Sequence, residues 1–119
     1  MSSPEDLRLE AETLLADQHY LEAADAYCDL IDATFKEDSD ISIQMCVDFV
    51  HYAECLINAY EEDAVAENLE TAWEILENAK MGYETMNHCN DFDEEIQEID
   101  DFFHKIIGYD KKFEDKLNE

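Results

Sequence analysis

A chain of 119 residues is long enough for one domain around one core, and 46% hydrophobic residues are too many for a disordered acidic tail. Its 33 acidic and 7 basic residues leave a net charge of -26, so nucleic acid and anionic membranes, both polyanions, are excluded as direct ligands. With only 2 Gly and 1 Pro, and no alternating apolar pattern, the expected fold class is all-α.

Helix one is expected to start at Ser3. Ser3 can cap it, Pro4 suits the first helical position, and Asp6 stands where a capping-box acid belongs. Leu7, Ala11, Leu14 and Leu15 form its apolar face, and the pattern stops near Asp17-Gln18-His19. Helix two follows almost at once, with Leu21, Ala23, Ala24, Tyr27, Leu30 and Ile31 inward. So short a connection forces the two helices into antiparallel contact, and the small alanines let them approach closely.

Ser39 or Asp40 can cap helix three, which carries Met45, Phe49, Tyr52, Ala53, Leu56 and Tyr60 on one face and Val47, Val50 and Ile57 on a second. A helix apolar on two sides belongs at the centre. Glu61-Glu62-Asp63 reads as a short acidic break. Helix four, ENLETAWEILENAKMGY from Glu67 to Tyr83, spaces Leu69, Ala72, Trp73, Leu76, Ala79 and Tyr83 along one stripe with the only tryptophan in the chain. Trp73 is therefore expected in the core. Asp91 and Glu94 look like the cap pair of helix five, whose apolar positions are Ile96, Ile99, Phe103, Ile106, Phe113 and Leu117. Lys111 to Glu119 extends that helix as a cap on the end of the stack.

The four cysteines, Cys28, Cys46, Cys55 and Cys89, form no Cys-x-x-Cys pair; they read as reduced, mostly buried thiols of a cytosolic or nuclear protein. Residues 1–20 lack the basic flank and apolar run of a signal peptide, and no apolar stretch approaches the length of a membrane span.

The helices repeat. Leu7, Ala11, Leu14, Tyr20, Ala23, Tyr27 and Leu30 place small residues where paired helices touch and large ones between them, a spacing that resembles the tetratricopeptide (TPR) repeat. Gln18 stands where that repeat usually has glycine. Phe49, Ala53, Leu56, Ala72, Leu76 and Ala79 give the pattern again, but Ala53 and Ala72 are 19 positions apart where Ala11 and Ala23 are 12 apart. The second repeat thus carries an acidic 7-residue insertion around Tyr60 to Asn68. One domain over 1–119 results: repeat one about 4–36, an interrupted repeat two about 40–86, and a partial third repeat or capping helix about 91–117.

A TPR-like array whose second repeat is interrupted by an acidic insert, with Leu69-x-x-Ala72-Trp73-x-x-Leu76-x-x-Ala79 directly after it, resembles the NASP (SHNi-TPR) family of histone chaperones. The resemblance covers roughly Leu7 to Met86. It implies binding of histones, chiefly H3–H4 and also linker histone, for nucleosome assembly, and a nuclear location with cytosolic traffic. The charge agrees independently, because self-repulsion at -26 costs stability that a basic partner would offset.

The candidate histone contacts are Glu61, Glu62, Asp63, Glu67, Glu70, Glu74 and Glu77, then Asp93, Glu94, Glu95, Glu98, Asp100 and Asp101. Two Asp-x-x-His pairs, Asp48 with His51 and Asp101 with His104, share helix faces at a spacing related to the Glu-x-x-His of helix-bundle di-metal sites, but no further inward Glu accompanies them. Residues 91–102 lack the Gly and the final Glu of a calcium loop, having Ile96 and Phe102 there. No phosphate loop is present and no catalytic group, cofactor or metal is expected. The alternatives are a generic TPR adaptor, for which the repeat helices carry few basic residues (Arg8, Lys36, Lys80), and an acidic DNA mimic. A bare apolar end on such a stack allows a homodimer.

Overall fold

The computed structural model describes residues 3–37, 42–87 and 89–117. Helix α1 (Pro4–Ala16) begins as its sequence dictates: the Ser3 hydroxyl accepts the Asp6 amide at 3.3 Å and Pro4 occupies the first turn. The chain then reverses through Asp17, Gln18 and His19 into α2 (Tyr20–Glu37). Gln18 lies in the left-handed region at φ 66°, which explains why glycine suits this place in the repeat. Ala11 and Ala23 are both fully buried, so the helices of the first pair meet through their smallest side chains. Leu21 departs from its expected place: it is 56% exposed, and Ala26 is buried instead.

Ser39 and Asp40, the expected caps of the third helix, lie outside the described residues. The cap of α3 (Ile43–Asp63) is Ser42, whose hydroxyl accepts the Met45 amide at 3.2 Å. α3 buries ten residues, Met45, Phe49, Ala53 and Leu56 on one side and Val50 and Ile57 on the other among them, because it packs against both α2 and α4.

The acidic break expected at Glu61-Glu62-Asp63 is not a break. All three residues are helical, and only Ala64 and Val65 separate α3 from α4 (Ala66–Met86). The 7 additional residues are close to two turns of helix, so they lengthen the hairpin at its tip instead of looping out. Ala64 makes the turn at φ 46°, and its amide donates to the Tyr60 carbonyl at 2.7 Å.

Asp91 does not cap the fifth helix. The turn after α4 is organised by Asn87, whose side-chain oxygen accepts the Phe92 amide at 2.9 Å while its amide group donates to Asp93 at 3.1 Å. Helix α5 (Asp93–Tyr109) follows and packs on α4. It does not run on through Phe113: Asp110 is extended, and its carboxylate accepts the Lys112 amide at 3.1 Å, starting a 3-10 turn (Lys111–Phe113) and a one-turn helix α6 (Glu114–Leu117). This reversal returns Phe113, fully buried, to the indole of Trp73.

The architecture is all-α and TPR-like: consecutive antiparallel helices, each packed on the next, with a folded-back end. Its extents of 42 × 39 × 21 Å make it a slab two helix diameters thick. One hydrophobic cluster runs through it from Ala11 to Phe113. Trp73 closes that cluster at the C-terminal end, 2% exposed, with ring centroids 4.3 Å from Phe103 and 5.3 Å from Phe113.

Candidate functional site

Four of the seven cations are drawn onto the protein's own carboxylates. Arg8 of α1 forks onto Asp48 of α3, with Nε to Oδ1 at 3.2 Å and Nη2 to Oδ2 at 3.0 Å, and Gln44 donates a third bond at 3.2 Å. Asp48 is 1% exposed, so this fork satisfies a buried charge and holds the guanidinium pKa above its ordinary value. Lys80 bonds Asp100 at 2.8 Å and lies over the Phe103 ring. Lys105 and the Tyr109 hydroxyl both donate to Glu61, at 2.9 and 2.6 Å. The Tyr109 bond, then Lys105, holds the Glu61 carboxyl below its usual range, and the same contact pushes the Tyr109 phenol up to about 12. Lys112 bonds Glu70 at 3.0 Å, and both Lys112 and Lys116 stand over the Phe113 ring.

These contacts divide the thirteen candidate acids. Glu61, Glu70 and Asp100 neutralise lysines of the chain itself, tying α3 and α4 to the C-terminal third. Asp93 accepts from Asn87 and Asp101 from Gln97. Glu62, Asp63, Glu67, Glu74, Glu77, Glu94, Glu95 and Glu98 are exposed and make no ion pair among the described residues. A further row was missed by the sequence reading: Glu22, Asp25, Asp29 and Asp32 are all exposed on α2. Their 3-4-3 spacing marks one helix face, a signal legible in the sequence had charge periodicity been followed as closely as apolar periodicity.

Clefts among the described residues indent the acidic surface. A groove of about 570 Å³ runs beside α4 and the C-terminal turn, with Trp73, Phe103, Met81 and Leu117 as apolar wall and Glu77, Glu84, Lys80 and Lys116 as polar wall. A cleft of about 370 Å³ between the α1–α2 turn and the tip of α3 is bordered by Glu22, Glu62 and Asp63 beside exposed Leu21. A pocket of about 190 Å³ lies between α3 and α5, lined by Val47, Val50, His51, Tyr83, Glu95 and Glu98. Burial, followed by the nearby anionic groups including Glu95 and Glu98, pushes the Tyr83 phenol up to about 12.

The two Asp-x-x-His pairs are engaged in other contacts. Asp48 belongs to Arg8, and His51 Nδ1 lies 3.4 Å from the Tyr27 hydroxyl. His104 Nδ1 donates to the Asp100 carbonyl at 2.8 Å. No group of three or more His, Cys, Asp or Glu side chains is arranged to hold a metal among the described residues. Burial pushes the Cys46 thiol up to about 11 and Cys55 up to about 12, which leaves both without thiolate at neutral pH; Cys28 is half-buried and Cys89 exposed. No helix among the described residues is long and apolar enough to cross a membrane.

No protein-family model matches the chain, and no curated protein or solved structure matches it either.

Proposed function

We propose that this protein is a histone chaperone of the NASP type, which binds H3–H4, and linker histone as a second client, and shields their basic surfaces during nucleosome assembly. It acts by charge and shape, without catalysis, in the nucleus and in transit through the cytosol.

The observation that carries this reading is the sorting of charge. Arg8, Lys80, Lys105 and Lys112 are paired with the chain's own carboxylates, while further acids on α2, α4 and α5 face solvent with no ion pair among the described residues. Such a surface attracts a strongly basic protein, accelerates the encounter and repels DNA. The Leu69-x-x-Ala72-Trp73-x-x-Leu76-x-x-Ala79 segment, with its likeness to the NASP signature, narrows a basic partner to histones. A TPR adaptor that grips a carboxylate tail needs cations in its groove. The pocket between α3 and α5 is instead bordered by Glu95 and Glu98, and in the groove beside α4 the cations Lys80 and Lys116 stand with Glu77 and Glu84, Lys80 being bonded to Asp100.

The test is a competition. Purified H3–H4 is mixed with the chain at near-physiological salt, and duplex DNA is titrated in. A chaperone keeps H3–H4 soluble and passes it to DNA as tetrasomes. A DNA mimic would also capture unrelated DNA-binding proteins and be displaced from all of them by the same DNA, which would overturn the assignment.

A further inference from the structure

Volume, wall chemistry and charge set the pocket between α3 and α5 apart from the other clefts. Val47 and Val50 of α3 and Tyr83 of α4 make its apolar walls, and Val50 and Tyr83 are themselves buried. Glu95 and Glu98 stand one turn apart on α5, both exposed, at the spacing that puts two helical side chains on one face. His51 completes the lining, and no lysine or arginine among the described residues borders this pocket, whereas Lys80 and Lys116 stand beside Glu77 and Glu84 in the larger groove along α4. A volume of about 190 Å³ admits one long side chain and excludes a helix, which is about 10 Å across.

We propose that this pocket takes a single arginine side chain of the basic partner, its stem along Val47, Val50 and Tyr83 and its guanidinium between Glu95 and Glu98. The inference rests on the preceding reading only in that the partner is basic. Arginine fits better than lysine for three reasons. Its planar fork addresses two carboxylates at once, it sheds water more readily than an ammonium, and it stacks flat on an aromatic face. An anchored arginine also supplies what the acidic rows lack. Solvated surface charges attract any polycation, but a charge held in a walled pocket selects a residue at a fixed place in the partner.

The test uses the full chain in two arms. In the first, N-acetyl-arginine amide and N-acetyl-lysine amide are titrated separately into isotopically labelled protein at equal ionic strength, with the valine methyl and tyrosine ring signals followed by NMR. Saturable shifts confined to Val47, Val50 and Tyr83, at least threefold tighter with arginine, are expected. Diffuse shifts over the whole acidic surface that never saturate, or equal affinity for the two amides, would overturn the proposal. Glu95→Gln/Glu98→Gln should abolish the shifts and Glu22→Gln/Asp25→Asn, with the same change of charge on α2, should leave them. Glu98→Gln alone serves if the double variant loses helicity, and undiminished shifts in it count against the pocket.

In the second arm both double variants are titrated with H3–H4. About a tenfold loss of affinity is expected for the α5 variant and less than threefold for the α2 control. Equal losses would mean a diffuse field with no pocket. Absence of H3–H4 binding by the unaltered chain, with the arginine shifts intact, would sink the histone reading and leave the pocket standing.

Discussion

Gln18 and Trp73 mark the two extremes of what one residue does here. Gln18 holds a left-handed turn at φ 66° with a side chain that disfavours it. Replacing it with Gly removes that strain against a smaller entropy cost, so Gln18→Gly should stabilise the protein by about 0.5–1 kcal/mol in urea unfolding. A loss of stability would show that the glutamine makes a compensating contact. Trp73 is the opposite case, buried between Phe103 and Phe113. Trp73→Ala should cost about 3–5 kcal/mol by the same measurement. A cost below about 1 kcal/mol would move the indole to the surface. The burial of Trp73 was legible from its place on the stripe with Leu69, Ala72 and Leu76. Its partner Phe113 was placed on the right face but on the wrong element, because nothing in a helical spacing count announces that Asp110 will turn the chain back.

Between elements, two polar ties do what apolar packing alone does not. Arg8 and Asp48 join α1 to α3 across a position 1% exposed. Breaking such a pair strands a buried charge, whereas replacing both partners with apolar residues does not. Arg8→Met alone should therefore cost about 3 kcal/mol, and Arg8→Met/Asp48→Leu should recover most of it. Two equal losses would show that the packing around the pair matters and the charge does not.

The second tie, Glu61 with Tyr109 and Lys105, holds α5 against the tip of α3. Glu61 is depressed, so its contribution is present above the ordinary carboxyl value of 4.5 and fades as pH falls below it. Tyr109 is raised, so its contribution is present below the ordinary phenol value of 10 and fades as pH climbs toward 12. Glu61→Gln should bring the Tyr109 titration, followed by phenolate absorbance, down from about 12 toward 10. An unchanged titration would mean that the bond does not form in solution.

Neither tie was visible beforehand. Spacing pairs Asp48 with His51, its neighbour one turn away, because sequence spacing reports contacts along a helix and is silent about a partner 40 positions distant. For the same reason the sequence places Glu61 in an acidic break and among the partner contacts. An acidic run looks identical whether it sits in a solvated break or on the outer turn of a lengthened helix. The helix pairs themselves were legible, since apolar stripes and alanine contacts repeat in register at Ala11, Ala23, Ala53 and Ala72.

Across the whole molecule, the charge of -26 is an unbalanced excess, and four of the seven cations are already paired with the chain's own carboxylates. A slab of antiparallel helices keeps that excess on fixed rows, on α2, α4 and α5, instead of letting it collapse or extend. Field and shape then have separate consequences for a basic partner. The field attracts every polycation and weakens with salt over a Debye length of about 8–10 Å. The clefts, walled by Val47, Val50, Trp73 and Phe103, are felt only by a partner that fits them. The measurement that separates these is binding of the two core-histone complexes, H3–H4 and the remaining core-histone dimer, across a salt series. Tight H3–H4 binding that persists at moderate salt, with the other dimer released earlier, is the predicted result. Equal binding that vanishes in step for both would contradict it and reduce the chain to a non-specific polyanion.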